Sequence, residues 1–289
     1  MVRLIIPVVK VNERCTWLFE RLQLPMIVVR LQDFISKITY EFNSNLDAVT
    51  AAGGLHKYLN YDGVIILSLI MRDDIIANFS PDKYAAGVNA LCPDLYTTID
   101  CETYEKEYEK SEIQIERCLT QTKILIELCP EHIPLGHIKG CNFTQIKNHC
   151  EQLKSLGIRD FLFHTGDFSR HGNTNMINAA RGYAEIIRQE ARTLILYGLG
   201  APSRFLEFSF ADAYVTFTHF VAATHRLKFS SRRTSPSHEH YTKLTLNNFL
   251  ELSERLRNAN HQTKLTKGGL CIWEAVHAVA DHRTHQAVA

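Results

Sequence analysis

The sequence lacks the patterns that would place it at once in a membrane or in a secretory pathway. No apolar run approaches the roughly 18 residues that a membrane-spanning helix requires. The N-terminus does not have the charged, apolar and small-residue regions of a signal peptide. The eight cysteines are scattered and form no CxxC pair, which is typical of reduced thiols in the cytosol. A soluble, cytoplasmic protein is therefore expected.

Motifs for metal ions and for common cofactors are also missing. Histidines are numerous towards the C-terminus, as in His238-Glu-His240, but they do not have paired ligand spacing such as CxC, CxxC or HExxH. No GxGxxG or P-loop pattern is present. We therefore expect neither a bound metal ion nor an organic cofactor.

The charge balance does not by itself indicate a partner. A formal net charge of +1 in 289 residues gives no overall attraction to nucleic acid, so any such binding would depend on a local basic cluster. One cluster follows His225 and contains four cations: Arg226, Lys228, Arg232 and Arg233. It suits a phosphate backbone if it lies beside a binding site, and otherwise it is a solvated surface.

Apolar runs recur along the chain and predict eight buried parallel strands. They are Leu4–Val9, Met26–Leu31, Val64–Leu69, Leu95–Ile99, Ile133–Ile138, Phe161–His164, Leu194–Tyr197 and Ala213–Phe217. Helical patterns lie between several of them, at Pro81–Leu91, Glu105–Leu128 and Asn175–Ala191. This alternation predicts an α/β protein built as a (β/α)8 TIM barrel, with an open doubly wound sheet as the rival architecture.

The repeating unit is clearest between Ile133 and Gly166. Asn142 is a predicted helix N-cap, and Gly157 stands where that helix would end. Parallel strands bring their C-terminal ends to one mouth. The residues that follow the two strands of this unit are therefore expected to lie close together: Lys139, Gly140, His164 and Gly166.

The segment Ser230–His240 is polar, basic and contains proline, which is typical of a linker. It predicts a barrel over residues 1–230, followed by a basic linker and a short helical extension over residues 231–289. Two amphipathic stretches, Leu244–Arg257 and Ile272–Ala280, are the predicted helices of that extension.

Several polar residues at predicted strand ends are candidates for binding or catalysis. Asp100 can accept hydrogen bonds from a purine base, although helix capping or an ion pair would explain it equally well. Lys139 can meet a carbonyl oxygen or a phosphate, and Gly140 lets the backbone approach a planar ligand. His164 and Asp167 offer an imidazole and a carboxylate, but a histidine at a strand end is more often structural.

Six motifs, in this order, resemble the tRNA-guanine transglycosylase superfamily, which includes queuine and archaeosine transglycosylases and enzymes that place 7-deazaguanines in DNA. They are Ala52-Gly-Gly-Leu-His-Lys-Tyr58 with Asp62-Gly63, Thr98-Ile-Asp-Cys101, Pro134-Leu-Gly-His-Ile-Lys-Gly140, Phe161–Gly166, Tyr197-Gly-Leu-Gly200 and Ala211-Asp-Ala-Tyr214. The resemblance implies a (β/α)8 barrel that extrudes a guanine from nucleic acid and exchanges it at the glycosidic bond. In the family one aspartate attacks the sugar C1′ and a second handles protons.

The resemblance also implies roles for individual residues. Asp100 matches the family's base-reading aspartate, and Gly140 matches a glycine of its base-binding turn, where Lys139 replaces the usual glutamine. The proton-handling aspartate has no counterpart in Leu67-Ser-Leu-Ile-Met71, and Val215 stands at the position of the nucleophile. The predicted base-binding set is Asp100, Lys139, Gly140, His164 and Gly166.

Three hypotheses follow. The first is a transglycosylase that acts on guanine or 7-deazaguanine in tRNA or DNA, with Asp212 or Asp167 as the catalytic carboxylate and Asp73 or Asp74 as the second acid. The second is a non-catalytic subunit, in a homo- or hetero-oligomer, that binds nucleic acid or an active homologue. The third is an unrelated TIM-barrel enzyme that acts on a small phosphorylated substrate held by Lys139.

Overall fold

Eight parallel strands form the centre of the molecule. A computed structural model describes residues 4–11, 18, 21–104, 107–169, 174–199, 204–225, 227–228 and 241–262. Each strand coincides with a predicted apolar run, and all but one of the strands differ from that run at one end by one or two residues. The strands are β1 (Leu4–Pro7), β2 (Met26–Arg30), β3 (Val64–Ser68), β4 (Leu95–Thr97), β5 (Ile133–Ile138), β6 (Asp160–His164), β7 (Thr193–Tyr197) and β8 (Ala213–Thr216).

The strands close into a barrel. Their order is β1-β8-β7-β6-β5-β4-β3-β2, and every pairing is parallel. The remaining gap lies between β1 and β2, where Val8 and Val28 form a parallel bridge and the Val9 N–H donates to the Val28 carbonyl at 2.8 Å. The predicted (β/α)8 TIM barrel is therefore confirmed over the open sheet.

Helices follow the strands and cover the outside of the barrel. They are α1 (Ser44–Ala52), α2 (Leu55–Leu59), α3 (Asp73–Ile76), α4 (Pro81–Leu91), α5 (Tyr108–Leu128), α6 (Phe143–Ser155), α7 (Gly166–Ser169), α8 (Thr174–Glu190), α9 (Arg204–Glu207), α10 (Thr218–Thr224) and α11 (Tyr241–Gln262). The sequence did not indicate α1, because only Leu46 and Val49 of its residues are buried and its periodicity is weak.

The unit from β5 to β6 follows its sequence pattern closely. Asn142 Oδ1 accepts the N–H of Gln145 at 2.9 Å, so Asn142 caps α6 as predicted. Gly157 ends this segment with a φ of 85°, a left-handed conformation that glycine adopts without steric cost. The two strands are thereby held parallel, with β5 paired to β6.

An apolar cluster fills the barrel interior. Every strand contributes at least one residue to it, and Val8 adds a further one just after β1. The members are Ile6, Val8, Met26, Val28, Val64, Ile66, Leu95, Leu135, Leu162, Ile195, Ala213 and Val215. These positions alternate along each strand, as they must when one face of the sheet points inwards. The interior is therefore a packed core that supports whatever lies at its open end.

The last described helix, α11, packs against α10. Between them His219 is fully buried, with its ring 4.5 Å from Phe220 and 5.1 Å from Phe249. Residues 231–240 and 263–289, including Ile272–Ala280, lie outside the described residues. The division into a barrel and a C-terminal extension stays a prediction.

His219 gives a test of how this packing depends on pH. Burial lowers the pKa of His219 to about 3, and neither ring nitrogen has a hydrogen-bond partner among the described residues. An unfolded histidine takes up a proton near pH 6.5, so the unfolded chain binds more protons between these values. The free energy of unfolding therefore falls as the pH drops below 6.5.

We expect His219→Phe to raise the free energy of unfolding at pH 7 by about 1 kcal/mol, because two unsatisfied polar atoms are removed. The gain should grow by up to about 1.4 kcal/mol for each pH unit below 6.5. Urea unfolding at pH 7.0 and 5.5 measures both effects, with His225→Gln on the exposed end of the same segment as the control. An equal pH dependence in His219→Phe and wild type would contradict this account.

In the part of the chain that the structure describes, no helix combines the length and the apolar character that crossing a bilayer requires.

Candidate functional site

A ring of polar and aromatic residues stands at the C-terminal mouth of the barrel. Each member lies two residues after an apolar residue of the barrel interior. Because side chains alternate between the two faces of a strand, each member lies on the same inward face as that residue. All eight strands have one such residue: Lys10, Arg30, Ser68, Thr97, His137, His164, Tyr197 and Phe217. Seven of these eight side chains carry hydrogen-bonding groups above the apolar core, although Ser68, Thr97 and His137 are fully buried. They lie at the end where barrel enzymes bind their ligands.

A cavity of about 880 Å³ opens at this mouth. Its wall includes three members of the ring, Arg30, His164 and Tyr197, together with residues from the loops that follow β3, β4 and β5. Those loop residues include Asp73, Asp74, Asp100, Glu102 and Lys139. The structure therefore brings the predicted residues Asp100, Lys139 and His164 to one cavity.

Asp100 is the most constrained carboxylate of this site. Lys139 Nζ lies 3.0 Å from Asp100 Oδ1, and His137 Nδ1 lies 3.5 Å from the same oxygen. Burial acts to raise the pKa of Asp100, but attraction to Lys139 outweighs it, so the pKa lies below the usual value of 3.8. Asp100 is therefore ionised at neutral pH.

The Asp100 carboxylate still has hydrogen-bonding capacity. Lys139 pairs with Asp100 Oδ1, and no other described residue donates a hydrogen bond to this oxygen. His137 supplies no strong donor either, because burial lowers its pKa to about 3 and keeps the ring neutral. A carboxylate oxygen can accept more than one hydrogen bond, so Asp100 has acceptor capacity left for a ligand or a water molecule.

Hydroxyl groups at the end of β4 fix the loop that carries Asp100. Thr97 Oγ1 accepts the N–H of Leu69 at 2.8 Å, and Thr98 Oγ1 accepts the N–H of His137 at 2.8 Å. These bonds tie the chain just before Asp100 to the strands on both sides of it. The carboxylate is thereby held on a rigid part of the barrel.

Helix α6 fixes the turn that carries Lys139. His149 Nδ1 accepts the Lys139 N–H at 3.0 Å, and burial lowers the pKa of His149 to about 4, which keeps that nitrogen available as an acceptor. Gln145 Oε1 accepts the N–H of Cys141 at 3.1 Å. Gly140, between them, has a φ of 152°, and an added Cβ would lie 3.0 Å from the Ile146 nitrogen. The glycine is thus required by the turn itself, and its predicted role in binding a base stays a prediction.

His164 occupies a space that two glycines leave open. A Cβ on Gly166 would lie 2.7 Å from His164 Nε2, and one on Gly198 would lie 3.1 Å from the same atom. On another side the ring packs against Tyr197, with centroids 5.3 Å apart. Gly166 therefore positions His164 by allowing close approach, and it need not touch a ligand to do so.

Asp212 lies at the opposite end of the barrel. It immediately precedes β8, where its Oδ2 accepts the N–H of Leu194 at 2.8 Å and lies 3.5 Å from Arg188 Nη1. Asp94 does the same before β4, accepting the N–H of Ile65 at 2.8 Å. The catalytic assignment of Asp212 is therefore contradicted by geometry, because the residue links two strands at the N-terminal face.

The position of the family's nucleophile is also occupied by an apolar side chain. Val215 is fully buried in the barrel interior. Asp167 lies in α7, after β6, but its side chain is outside the described part of the structure. The carboxylates that the structure does bring to the cavity with Asp100 are Asp73, Asp74 and Glu102.

The basic cluster is only partly described. Lys228 is partly buried, whereas Arg226, Arg232 and Arg233 lie outside the described residues. Its role in binding a phosphate backbone stays a prediction. Among the described residues, no group of three His, Cys, Asp or Glu side chains is arranged to hold a metal ion.

Sequence reasoning missed most of the ring at the mouth. His137, Arg30 and Tyr197 each lie within the last two residues of an apolar run, where local sequence does not distinguish them from the rest of the strand. The strand alternation identifies them, since each follows an interior residue by two positions. Burial raises the pKa of Tyr197 to about 12, so its hydroxyl stays protonated and able to donate a hydrogen bond.

No protein-family model matches the chain, and the comparison with curated proteins gives no match. The resemblance to transglycosylases stays a prediction from the six motifs.

Proposed function

We propose that the mouth cavity binds a guanine or 7-deazaguanine base of a nucleic acid and that the protein is a transglycosylase-like barrel. The observation that carries this proposal is the Asp100 carboxylate, which is buried and ionised, pairs with Lys139 at 3.0 Å and accepts no hydrogen bond from any other described side chain. The ligand that satisfies it must bring hydrogen-bond donors into the cavity.

Guanine carries the groups that this pair requires. One edge of the base presents the O6 acceptor beside the N1–H and N2–H donors. A carboxylate accepts two donors, and an ammonium group donates to a carbonyl oxygen. Asp100 would therefore take the N1–H and N2–H groups while Lys139 takes O6, the task of glutamine in the family turn. The same edge is present in 7-deazaguanine, because the two bases differ only at position 7.

The charges around the cavity favour a neutral base over a phosphate. The cations of its wall already have carboxylate partners: Arg30 lies 2.7 Å from Asp33, Arg72 lies 2.7 Å from Asp74, and Lys139 lies beside Asp100. A phosphate entering here would displace one of these pairs and would also meet Asp73 and Glu102. This weighs against a small phosphorylated substrate.

Base exchange additionally requires a nucleophile for the sugar C1′. A carboxylate attacks C1′ as the bond to the departing base breaks, and the incoming base then displaces the carboxylate. Asp73, Asp74 and Glu102 are the candidates, because all three line the cavity with Asp100. The alternative is a non-catalytic base-binding subunit, and it is favoured by the valine at position 215.

Incubation with labelled guanine and either tRNA or DNA, followed by denaturing electrophoresis, tests exchange and traps a covalent adduct. We expect label in the nucleic acid with wild type and none with Asp100→Asn. Asp73→Asn, Asp74→Asn and Glu102→Gln identify the attacking group, because only its loss removes the adduct. Asp62→Asn, an exposed carboxylate before β3, is the control.

Binding of guanine without label in either nucleic acid would support the base-binding subunit. The absence of both guanine binding and incorporation would contradict the proposal as a whole.

A further inference from the structure

A group of cations and aromatic rings lies on the side of the mouth formed by β1, β2 and β8. Lys10 Nζ lies 5.8 Å from the ring centroid of Phe217, 5.6 Å from that of Phe220 and 5.7 Å from that of Tyr241. The Arg30 guanidinium lies 4.9 Å from the centroid of the Phe217 ring. We call Lys10, Arg30, Phe217 and Tyr241, which are all partly exposed, the cation–aromatic wall.

The wall faces a different kind of surface across the mouth. On the side of β3 and β4, the cavity is lined by the carboxylates of Asp73, Asp74, Asp100 and Glu102. On the side of the wall, the carboxylate in contact is Asp33, which binds Arg30 through two hydrogen bonds of 3.2 and 2.7 Å. Lys10 and Lys37 also act on Asp33 electrostatically, so three cationic side chains surround this carboxylate.

The wall is continuous with the base site. Arg30 belongs both to the wall and to the lining of the 880 Å³ cavity that contains Asp100. A nucleotide whose base reaches Asp100 therefore leaves its sugar, its phosphates and its neighbours next to this surface. Interleaved aromatic rings and cations are the combination that binds single-stranded nucleic acid, through base stacking and phosphate contacts.

We propose that the cation–aromatic wall binds the single-stranded nucleotides that flank the target base. This inference rests on the proposed function, because it assumes that the target base occupies the cavity. A flanking base stacks on Phe217 or Tyr241, and Lys10 contacts a phosphate. The acidic side of the mouth repels the phosphates of the nucleic acid, so the bound single strand lies along the cation–aromatic wall.

The same contacts also attach the C-terminal helix to the barrel. Lys10 Nζ donates to the Tyr241 hydroxyl at 3.4 Å, across 231 positions of sequence. A purely structural role predicts that substitutions here change unfolding and leave affinity for nucleic acid unchanged in the folded protein. The two roles are therefore separable by measuring both quantities on each variant.

The experiment uses a fluorescein-labelled, ten-nucleotide single strand with one central guanine between pyrimidines, in DNA and RNA versions, and measures anisotropy from 50 to 300 mM salt. We expect Lys10→Gln to weaken binding several-fold at low salt and to reduce the salt slope by about 0.7, the value for one phosphate contact on a single strand. Tyr241→Ala should weaken binding about tenfold, as the loss of one stacked base does. Tyr241→Phe should bind as wild type does.

Lys83→Gln is the matched control, because Lys83 also lies over a ring, 5.7 Å from the centroid of Phe79, but on α4 in the outer layer. Free guanine binding is measured on every variant. Wild-type oligonucleotide affinity in folded Lys10→Gln and Tyr241→Ala would overturn the inference, as would equal affinity for a duplex of the same sequence. A wild-type protein that does not bind guanine would overturn the proposed function instead. If its oligonucleotide binding still depended on Lys10, the cation–aromatic wall would remain supported as a nucleic-acid site.

Discussion

Replacing Asp100 with asparagine is expected to weaken the binding of free guanine by about 100-fold or more. The carboxylate offers acceptors to both N1–H and N2–H, and each hydrogen bond to a charged group contributes about 1.5 to 3 kcal/mol. Asparagine keeps the shape of the side chain but accepts hydrogen bonds through one oxygen only. Its NH2 group would face either a donor of the base or the ammonium group of Lys139, where two donors repel each other. Isothermal titration calorimetry with guanine and with 7-deazaguanine measures the loss directly.

Lys139→Gln provides the contrast to this change. Glutamine retains a donor for O6, so we expect a loss of about tenfold or less. Asp82→Asn, on the exposed first turn of α4, should bind guanine as wild type does. If Asp100→Asn remained folded and bound guanine with unchanged affinity, the base-binding role of Asp100 would be excluded.

The second large effect concerns stability at the other end of the barrel. Asp94→Ala should lower the free energy of unfolding by about 2 to 4 kcal/mol, because it leaves a buried N–H without an acceptor. Asp94 Oδ2 accepts the N–H of Ile65 at 2.8 Å and lies 3.0 Å from His56 Nε2. Asp212→Ala should cost about 1 to 3 kcal/mol for the same reason, through Leu194.

Urea unfolding of the two variants, beside Asp62→Ala as an exposed control, measures these costs. In the absence of urea, both variants should bind guanine with wild-type affinity, because the substituted residues lie at the N-terminal face of the barrel. A folded Asp212→Ala protein that bound guanine but transferred none to nucleic acid would restore the sequence-based catalytic assignment of that residue.

Much of the fold was predictable because each strand is a continuous apolar run. A strand of a parallel barrel is covered on both faces, so its sequence contrasts sharply with the polar helices and loops on either side. The cap at Asn142 and the left-handed Gly157 are local features, and both were predicted from residues close in sequence. Asp100 and Lys139 were placed at the mouth for the same reason, since each follows a strand.

The position of Asp212 was also contained in the sequence but was missed. Its predicted strand begins at Ala213, so Asp212 must precede that strand and lie at the N-terminal face. Motif similarity identifies a type of residue but does not specify whether that residue precedes or follows its strand. The strand boundary alone separates a supporting carboxylate from one at the mouth.

Other parts of the site depend on contacts that no local pattern contains. The pairing of Lys139 with Asp100 joins two different loops, and the contact of Lys10 with Tyr241 joins the two ends of the described chain. The burial of His219 depends on the packing of α10 against α11. These are products of tertiary packing, which sequence periodicity does not specify.

Val215 carries a consequence for the evolution and redesign of this barrel. An aspartate at position 215 would enter an apolar layer, beside Ile6 on one neighbouring strand and Tyr197 on the other. In that setting burial would raise its pKa and keep it protonated, so it would not act as a nucleophile. One substitution at this position is therefore a dead end, and any route to a working acid on β8 must first make the surrounding layer polar.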